Sequence, residues 1–326
     1  MIVRDFIFWL STKKNVTDAI ARRGIQHGFA LRFIAGEHLE DAIRACQELN
    51  REHRRISLNH LGENVTTVEE ATRVKDGYIE MVRELDHRGI DGNISIKLTQ
   101  LGLDVKPGGR ELCQRLTEEI LSAAAELHRD IEMDMEGSPY TDVTLDIFES
   151  VRHQRANAGM AIQAYLYRTE KDLERLAPLH PKIRLVKGAY REPKSIAFQK
   201  KQDVDANYLR LLDKLLDGRF FAAIATHDPA MLDHARKLIT GRKLSQDSYE
   251  FQMIYGIRRD LQQEIRGQGH LLRIYVPYGT EWCPYFMRRL SERPANCWFV
   301  LKNLMVETFS RNGSAGGESP AGGSKP

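Results

Sequence analysis

Eight short apolar runs, separated by amphipathic stretches, constrain this 326-residue chain more tightly than any other feature. The runs are 56–61 (ISLNHL), 93–98 (NISIKL), 130–136 (DIEMDME), 161–166 (AIQAYL), 183–189 (IRLVKGA), 220–226 (FFAAIAT), 249–254 (YEFQMI) and 271–276 (LLRIYV). Segments with apolar residues at helical spacing lie between them, at 67–88, 111–128, 142–157, 170–177, 203–217 and 229–239. A strand followed by a helix and a further strand pairs with it in parallel, through a right-handed crossover. Eight such units within about 250 residues predict an α/β fold, a closed (β/α)8 TIM-type barrel rather than an open sheet.

The barrel is expected to span 53–308. Ahead of it, residues 16–52 carry Ile43, Cys46 and Leu49 at helical spacing, so 1–52 reads as a helical segment that packs on the barrel. Residues 309–326 are rich in Gly, Ser and Pro and read as a disordered tail. Composition supports a globular core, with 42% hydrophobic and 29% charged residues. A net charge of +3 without a Lys/Arg stripe argues against nucleic acid as a partner. The four cysteines, Cys46, Cys113, Cys283 and Cys297, form no CxxC pair, which fits a reducing compartment, the cytoplasm, with neither disulfides nor a metal site. No run approaches the roughly 20 apolar residues of a membrane span, and the N-terminus lacks the layout of a signal peptide, so any membrane contact is expected to be peripheral.

In a barrel of this kind the chemistry lies at the carboxyl ends of the strands. In 94–98, Ser95 and Lys97 alternate with Ile94, Ile96 and Leu98, which puts a hydroxyl and an ammonium on one face. In 131–136, Glu132, Asp134 and Glu136 alternate with Ile131, Met133 and Met135. The carboxylate stripe suits a solvated outer face, but helices cover the outside of a barrel, which favours the inward placement. Arg184 and Lys187 have opposite parity, so both point inward only if the strand ends or bends near Gly188. Arg273 and Tyr275 share a face, and Tyr275 also suits an ordinary core position with a bonded hydroxyl.

Beyond the last run, YGTEWCPYFMRRLSERPAN (278–296) reads as a short helix over about 283–293, with Thr280 as N-cap and Pro284 in the first turn. Phe286, Met287 and Leu290 form its apolar stripe, with Tyr285, Arg288 or Arg289, and Glu292 on the opposite face. Adjacent guanidiniums make a fork for a small carboxylate or phosphate, although an isolated pair of this type is more often a solvated helix face. The expected barrel mouth therefore holds Lys97, Asp134, Gln163, Arg184, Lys187, Thr226, His227, Tyr275, Arg288 and Arg289, an excess of cations suited to an anionic guest. Neither GxGxxG after a strand nor GxxxxGK[ST] is present, which excludes the ordinary nucleotide-binding loops.

SIKLTQLG, MDMEG, IQAYLYR, RLVKGAY, ATHD, YEFQMIYGIRRDLQ and IYVPYGTEWCPYFMRRLSERPAN occur in that order. Together they resemble the monofunctional bacterial proline dehydrogenases, over roughly 30–305, with KGAY and FMRR the most specific. The resemblance implies a distorted (β/α)8 barrel with extra N-terminal helices that binds FAD without a Rossmann fold. It implies oxidation of L-proline to 1-pyrroline-5-carboxylate by hydride transfer to flavin N5, with electrons passed to a quinone and a pyrroline-5-carboxylate dehydrogenase acting downstream. A quinone acceptor implies peripheral contact with the inner membrane surface.

Carried residue by residue, the resemblance implies that Arg288, Arg289 and Lys97 hold the proline carboxylate and that Glu292 orients a guanidinium. Tyr275 would close over the substrate, with Leu185, Tyr190 and Ile254 walling its ring. Asp134 would be the active-site acid and Arg184 would reach the flavin N5 region. Gln163, Met135 and the Lys187, Gly188, Ala189 segment would contact the flavin, and Thr226 and His227 the remainder of FAD. Arg191, after KGAY, departs from relatives that place an aromatic residue there. Two rivals remain from the residues alone. One is a Schiff-base aldolase using Lys97 or Lys187, and the other is a non-catalytic small-anion-binding protein.

Overall fold

The computed structural model describes residues 32–285. The chain divides into two units, His27–Trp282 and Met1–Gln26 with Cys283–Pro326, and nearly all the described residues belong to the first. Its strands are β1 (Arg55–His60), β2 (Gly92–Ile96), β3 (Ile131–Met133), β4 (Ala158–Gln163), β5 (Lys182–Val186), β6 (Phe221–Ala225), β7 (Tyr249–Ile254) and β8 (Leu272–Tyr278). They form a closed barrel in chain order, and every neighbouring pair, including β1 with β8, is parallel. Helix α1 (Leu39–Arg51) precedes β1. Helices α2 (Val68–His87), α3 (Gly109–Glu126), α4 (Thr141–Gln154), α5 (Thr169–Leu176), α6 (Lys201–Leu215), α7 (Pro229–Arg242) and α8 (Arg259–Gly267) follow strands β1 to β7 in turn. Among the described residues, no helix is long and apolar enough to cross a membrane.

Local chemistry sets several of these boundaries. Thr67 caps α2 by accepting from the backbone N–H of Glu70, and Asp228 caps α7 by accepting from Ala230, with Pro229 in the first turn. Two strands depart from the expected limits. β4 starts three residues before the expected 161–166, because Leu166 already turns, its N–H donating to the Gln163 carbonyl. β3 is three residues long rather than seven. The backbone of Asp134 still donates to Ile96 (2.9 Å), but the chain then leaves the sheet.

Alternation along the strands builds two different layers. Ile56, Leu58, Ile94, Ile96, Ile131, Met133, Ile183, Leu185, Phe251, Met253, Ile274 and Val276 are buried in one continuous apolar cluster that includes residues of all the covering helices. The opposite face lines the lumen, and register places Ser57 beside Asn93 and Tyr275, Ser95 beside Glu132, Ala161 beside Arg184, and Gln252 beside Arg273. Branched apolar side chains normally fill the lumen of such a barrel. Here charged side chains fill it, and Gly159, Ala161 and Ala223 in β4 and β6 leave them space. A Cβ at Gly159 would lie 3.1 Å from the Lys182 carbonyl oxygen.

The apolar layer between sheet and helices therefore carries most of the hydrophobic stabilisation. Replacing fully buried Phe251 with Ala should cost about 3–5 kcal/mol, measured by urea unfolding, through lost transfer energy and a cavity. A loss below about 1 kcal/mol would contradict this account of the core.

Candidate active site

The site forms where the strands end, around Arg184. Its side chain leaves β5 and reaches residues of β1, β2 and β7 and the end of β3, a span possible only across the lumen. Nε donates to Gln252 Oε1 (2.7 Å), and NH1 donates to Asp134 Oδ1 (2.6 Å) and Ser95 Oγ (3.2 Å). NH2 approaches Ser57 Oγ (3.4 Å) and forms an ion pair with Glu132. The guanidinium also lies over the Tyr275 ring, 5.3 Å from its centroid. Burial is the largest influence on this cation and pulls its pKa down to about 10, so it remains charged at neutral pH.

Asp134 is the common partner. Beyond Arg184, it accepts from Ser95 Oγ (2.8 Å) and from the Tyr275 hydroxyl (2.8 Å), and Lys97 Nζ lies 3.6 Å from Oδ2. Lys97 follows the end of β2, is buried, and also reaches Asn59 Oδ1 (3.4 Å). Two cations, a phenol and a carboxylate thus meet at one mouth. Among the described lumen residues, four cations, Lys97, Lys182, Arg184 and Arg273, face three carboxylates, Glu132, Asp134 and Glu250. The surplus cation belongs to the end where an anion would enter.

The other expected positions fall around this centre. Gln163 ends β4, and its Nε2 donates to the Met135 carbonyl (3.2 Å), while its Oε1 is buried without a partner among the described residues. Met135 is buried beside it. The parity conflict of Arg184 and Lys187 resolves because β5 ends at Val186, leaving Lys187 beyond the pleat. Lys187 Nζ instead pairs with Asp205 (2.7 Å) and Asp228 (3.0 Å), tying the end of β5 to α6 and the cap of α7. Gly188 adopts φ +116°, and a Cβ there would stand 2.3 Å from the Tyr165 ring, so this turn requires glycine. Ala189 is exposed, and the Tyr190 ring packs near Gly137. Beyond β6, Thr226 accepts from the N–H of Asp228 (3.1 Å) and the His227 ring accepts from the N–H of Ile254 (2.9 Å). Glu192, in the loop after β5, accepts from the Ser138 N–H (2.7 Å) and hydroxyl (2.5 Å), joining the loops that follow β5 and β3. Arg288, Arg289 and Glu292 lie outside the described residues.

Glu136 departs from the expected stripe of three carboxylates. Because β3 ends at Met133, its carboxylate turns to the segment after β2 and accepts from the Thr99 N–H (3.1 Å) and hydroxyl (2.6 Å). Burial, only partly offset by Thr99 and Lys97, raises its pKa to about 7. In the lower lumen the sequence marks Glu132 and Arg273 by their faces but gives no place to Lys182, Glu250 or Gln252. Lys182 pairs with Glu132 (2.7 Å) and Glu250 (2.8 Å), and Arg273 pairs with Glu250 (2.7 Å). The shared parity of Glu250 and Gln252 in YEFQMI was the available signal.

Comparison with known proteins decides what family this site belongs to. The family model described as proline dehydrogenase matches residues 42–302. "Proline dehydrogenase 2" of Bacillus subtilis strain 168 is 37% identical over 304 residues, covering 93% of this chain and 99% of that one. The chain belongs to the proline dehydrogenase family. Another relative, "Proline dehydrogenase" of Deinococcus radiodurans, is 37% identical over 278 residues, covering 85% of this chain and 90% of its own length. The barrel also resembles proline utilization A (PutA) from Bdellovibrio bacteriovorus inactivated by N-propargylglycine. That likeness has a TM-score of 0.76 at 23% identity, covers 81% of this chain and 32% of that one, and concerns the fold alone. Neither rival, the Schiff-base aldolase or the non-catalytic anion binder, finds support in these likenesses.

Glu136 offers a test of the site's electrostatics that does not depend on turnover. Its folded pKa of about 7 lies above the unfolded carboxylate value, so the folded state holds the proton more tightly. Its stabilising contribution is complete at pH below about 4.5 and is lost as pH rises toward 7 and beyond. Glu136→Gln keeps the shape without ionising: its oxygen can accept from the Thr99 N–H, and its amide nitrogen can donate to the Thr99 hydroxyl oxygen. Thermal unfolding should show the variant gaining on the wild type between pH 5 and pH 8, by on the order of 3 kcal/mol at most. A difference that does not change with pH would refute the buried-carboxylate account.

Proposed function

We propose that this protein oxidises L-proline to 1-pyrroline-5-carboxylate with FAD as electron acceptor, the first step of proline catabolism to glutamate. The observation that carries the reading is the family match across residues 42–302. The site is compatible with it: the cationic mouth suits a carboxylate, and Gln163 Oε1, buried and without a partner among the described residues, suits a donor on a polar ring held beside Met135.

When bound, FAD supplies an acceptor for the hydride that leaves the ring carbon next to the proline nitrogen. The residues here would position that carbon. Lys97, with Arg288 and Arg289, would anchor the carboxylate, and Glu292 would orient one of the guanidiniums. Tyr275, fixed by its hydrogen bond to Asp134, would cover the substrate, with Tyr190 as a wall. Asp134 would hold Arg184, Tyr275 and Lys97 in register, and Arg184 would set positive charge near the reacting part of the flavin. Gln163, Met135, Lys187, Gly188 and Ala189 would line the flavin, and Thr226 and His227 the rest of FAD. The amine must be deprotonated before the hydride leaves, so turnover should rise with pH until that proton is lost. Electrons would pass to a quinone at the inner membrane surface, and a pyrroline-5-carboxylate dehydrogenase would take up the product.

Purified protein supplied with FAD should show a flavin spectrum that bleaches anaerobically with L-proline, and a protein that binds no flavin, or whose flavin stays oxidised, would sink the reading. Arg288→Met and Arg289→Met should each remove a charge-assisted contact of about 1.5–3 kcal/mol. kcat/KM for proline should then fall about ten- to a hundredfold with flavin retained. Unchanged proline kinetics in both variants would refute the carboxylate fork.

A further inference from the structure

Beneath Arg184 lies a second storey of charge that the proposed reaction does not use. Glu132, Glu250, Gln252 and Arg273 are each more than nine-tenths buried. Gln252 is its junction. Oε1 accepts from Arg184 Nε (2.7 Å), while Nε2 donates to Glu132 Oε1 (3.1 Å) and Glu250 Oε1 (2.7 Å). The amide has one orientation that works, because the flipped form would face two carboxylates with an acceptor and a guanidinium with a donor. A carboxylate at this position would repel its neighbours, and an ammonium would repel Arg184.

The contacts engage all three guanidinium nitrogens of Arg184. Nε is held by Gln252, NH1 by Asp134 and Ser95, and NH2 by Glu132 and Ser57. Among the described residues, only Asp134, Ser95 and Ser57 would remain as hydrogen-bond acceptors for the group without the lower storey, and Ser57 lies at the limit of a hydrogen bond (3.4 Å). Glu132 is in turn fixed by Lys182 (2.7 Å), and Glu250 by Lys182 (2.8 Å) and Arg273 (2.7 Å).

We propose that Gln252 and Glu132 are positioning residues that fix the plane and offset the charge of Arg184, and so would set the redox potential of a bound flavin. The inference rests on the flavin reading given for Arg184. It has two separable parts. Gln252 governs where the guanidinium points, and the Glu132 carboxylate, paired with Arg184 and Lys182, governs how much of its charge reaches the mouth. Removing the carboxylate charge of Glu132 strengthens the positive field and favours the reduced, more negative flavin. A carboxylate at 252 acts in the opposite sense.

The test uses full-length flavoprotein carrying Glu132→Gln, Gln252→Glu or Gln252→Met, with flavin content and melting temperature recorded for each. Midpoint potential, measured by equilibration with a reference dye, should move positive in E132Q and negative in Q252E, a pair of signs that simple loosening of the barrel would not produce. Q252M, neutral and of similar length, should reduce flavin with saturating proline about tenfold more slowly while KM for proline changes less than twofold. If one charge variant does not fold, the sign of the other together with the Q252M rate decides the matter. Potentials that stay at the wild-type value or move in the same direction, or a wild-type reduction rate in Q252M, would overturn the proposal while leaving proline oxidation intact. A wild-type protein that binds no flavin overturns the preceding reading and this one together.

Discussion

A guanidinium buried in the middle of a barrel is the constraint from which the rest of the structure follows. Desolvating such a charge costs several kcal/mol unless acceptors surround it, and breaking one partner of a buried pair costs about 3–5 kcal/mol. Arg184 meets this demand with acceptors from β1, β2 and β7 and from the end of β3. Those acceptors bring their own charges, which require Lys182 and Arg273. Inward positions must then alternate between long polar side chains and small ones such as Gly159, Ala161 and Ala223. The apolar core is left entirely to the outer face and its helices, which explains why so many fully buried Ile, Leu and Phe side chains lie there.

Alternation made much of this legible in the sequence. A strand covered on both sides should read as a continuous apolar run, so ISIK and IEMD showed that one covered face was polar. Ser95, Lys97, Glu132, Asp134, Arg273 and Tyr275 were placed on the correct faces for that reason. Parity gives a face but never a partner, and so the link from Gln252 to Arg184, 68 positions apart in the chain, had no local signal. Strand ends were also hidden. Apolar residues continue past Gln163 and Met133 into loops that are themselves buried, which displaced β4 and assigned Glu136 to the wrong stripe. Gly188 was the exception, because a glycine after a strand with conflicting parities marks where the pleat stops.

The loops at the mouth are held by charge as well as by the small apolar cluster of Tyr165, Leu166 and Ala197. Lys187 joins the end of β5 to Asp205 and Asp228, and Glu192 joins the same loop to Ser138 after β3. Both ties are partly solvated, so each contributes modestly on its own. Their value is geometric: they fix the segment that carries Gly188, Ala189 and Tyr190 with respect to Gln163 and Met135. The scaffold supplies depth, and these contacts supply the rim.

The charged lumen also bears on how the protein responds to temperature. Exposing apolar surface on unfolding raises the heat capacity, whereas exposing polar surface lowers it. A barrel that buries Glu132, Arg184, Glu250 and Arg273 where others bury branched hydrocarbons should therefore have a smaller heat-capacity increment per residue and a flatter stability curve. The hydration of ions also weakens on heating, which lessens the cost of keeping them inside. A centre built to hold one cation would thus lose less of its stability with warming than a greasy one of equal size.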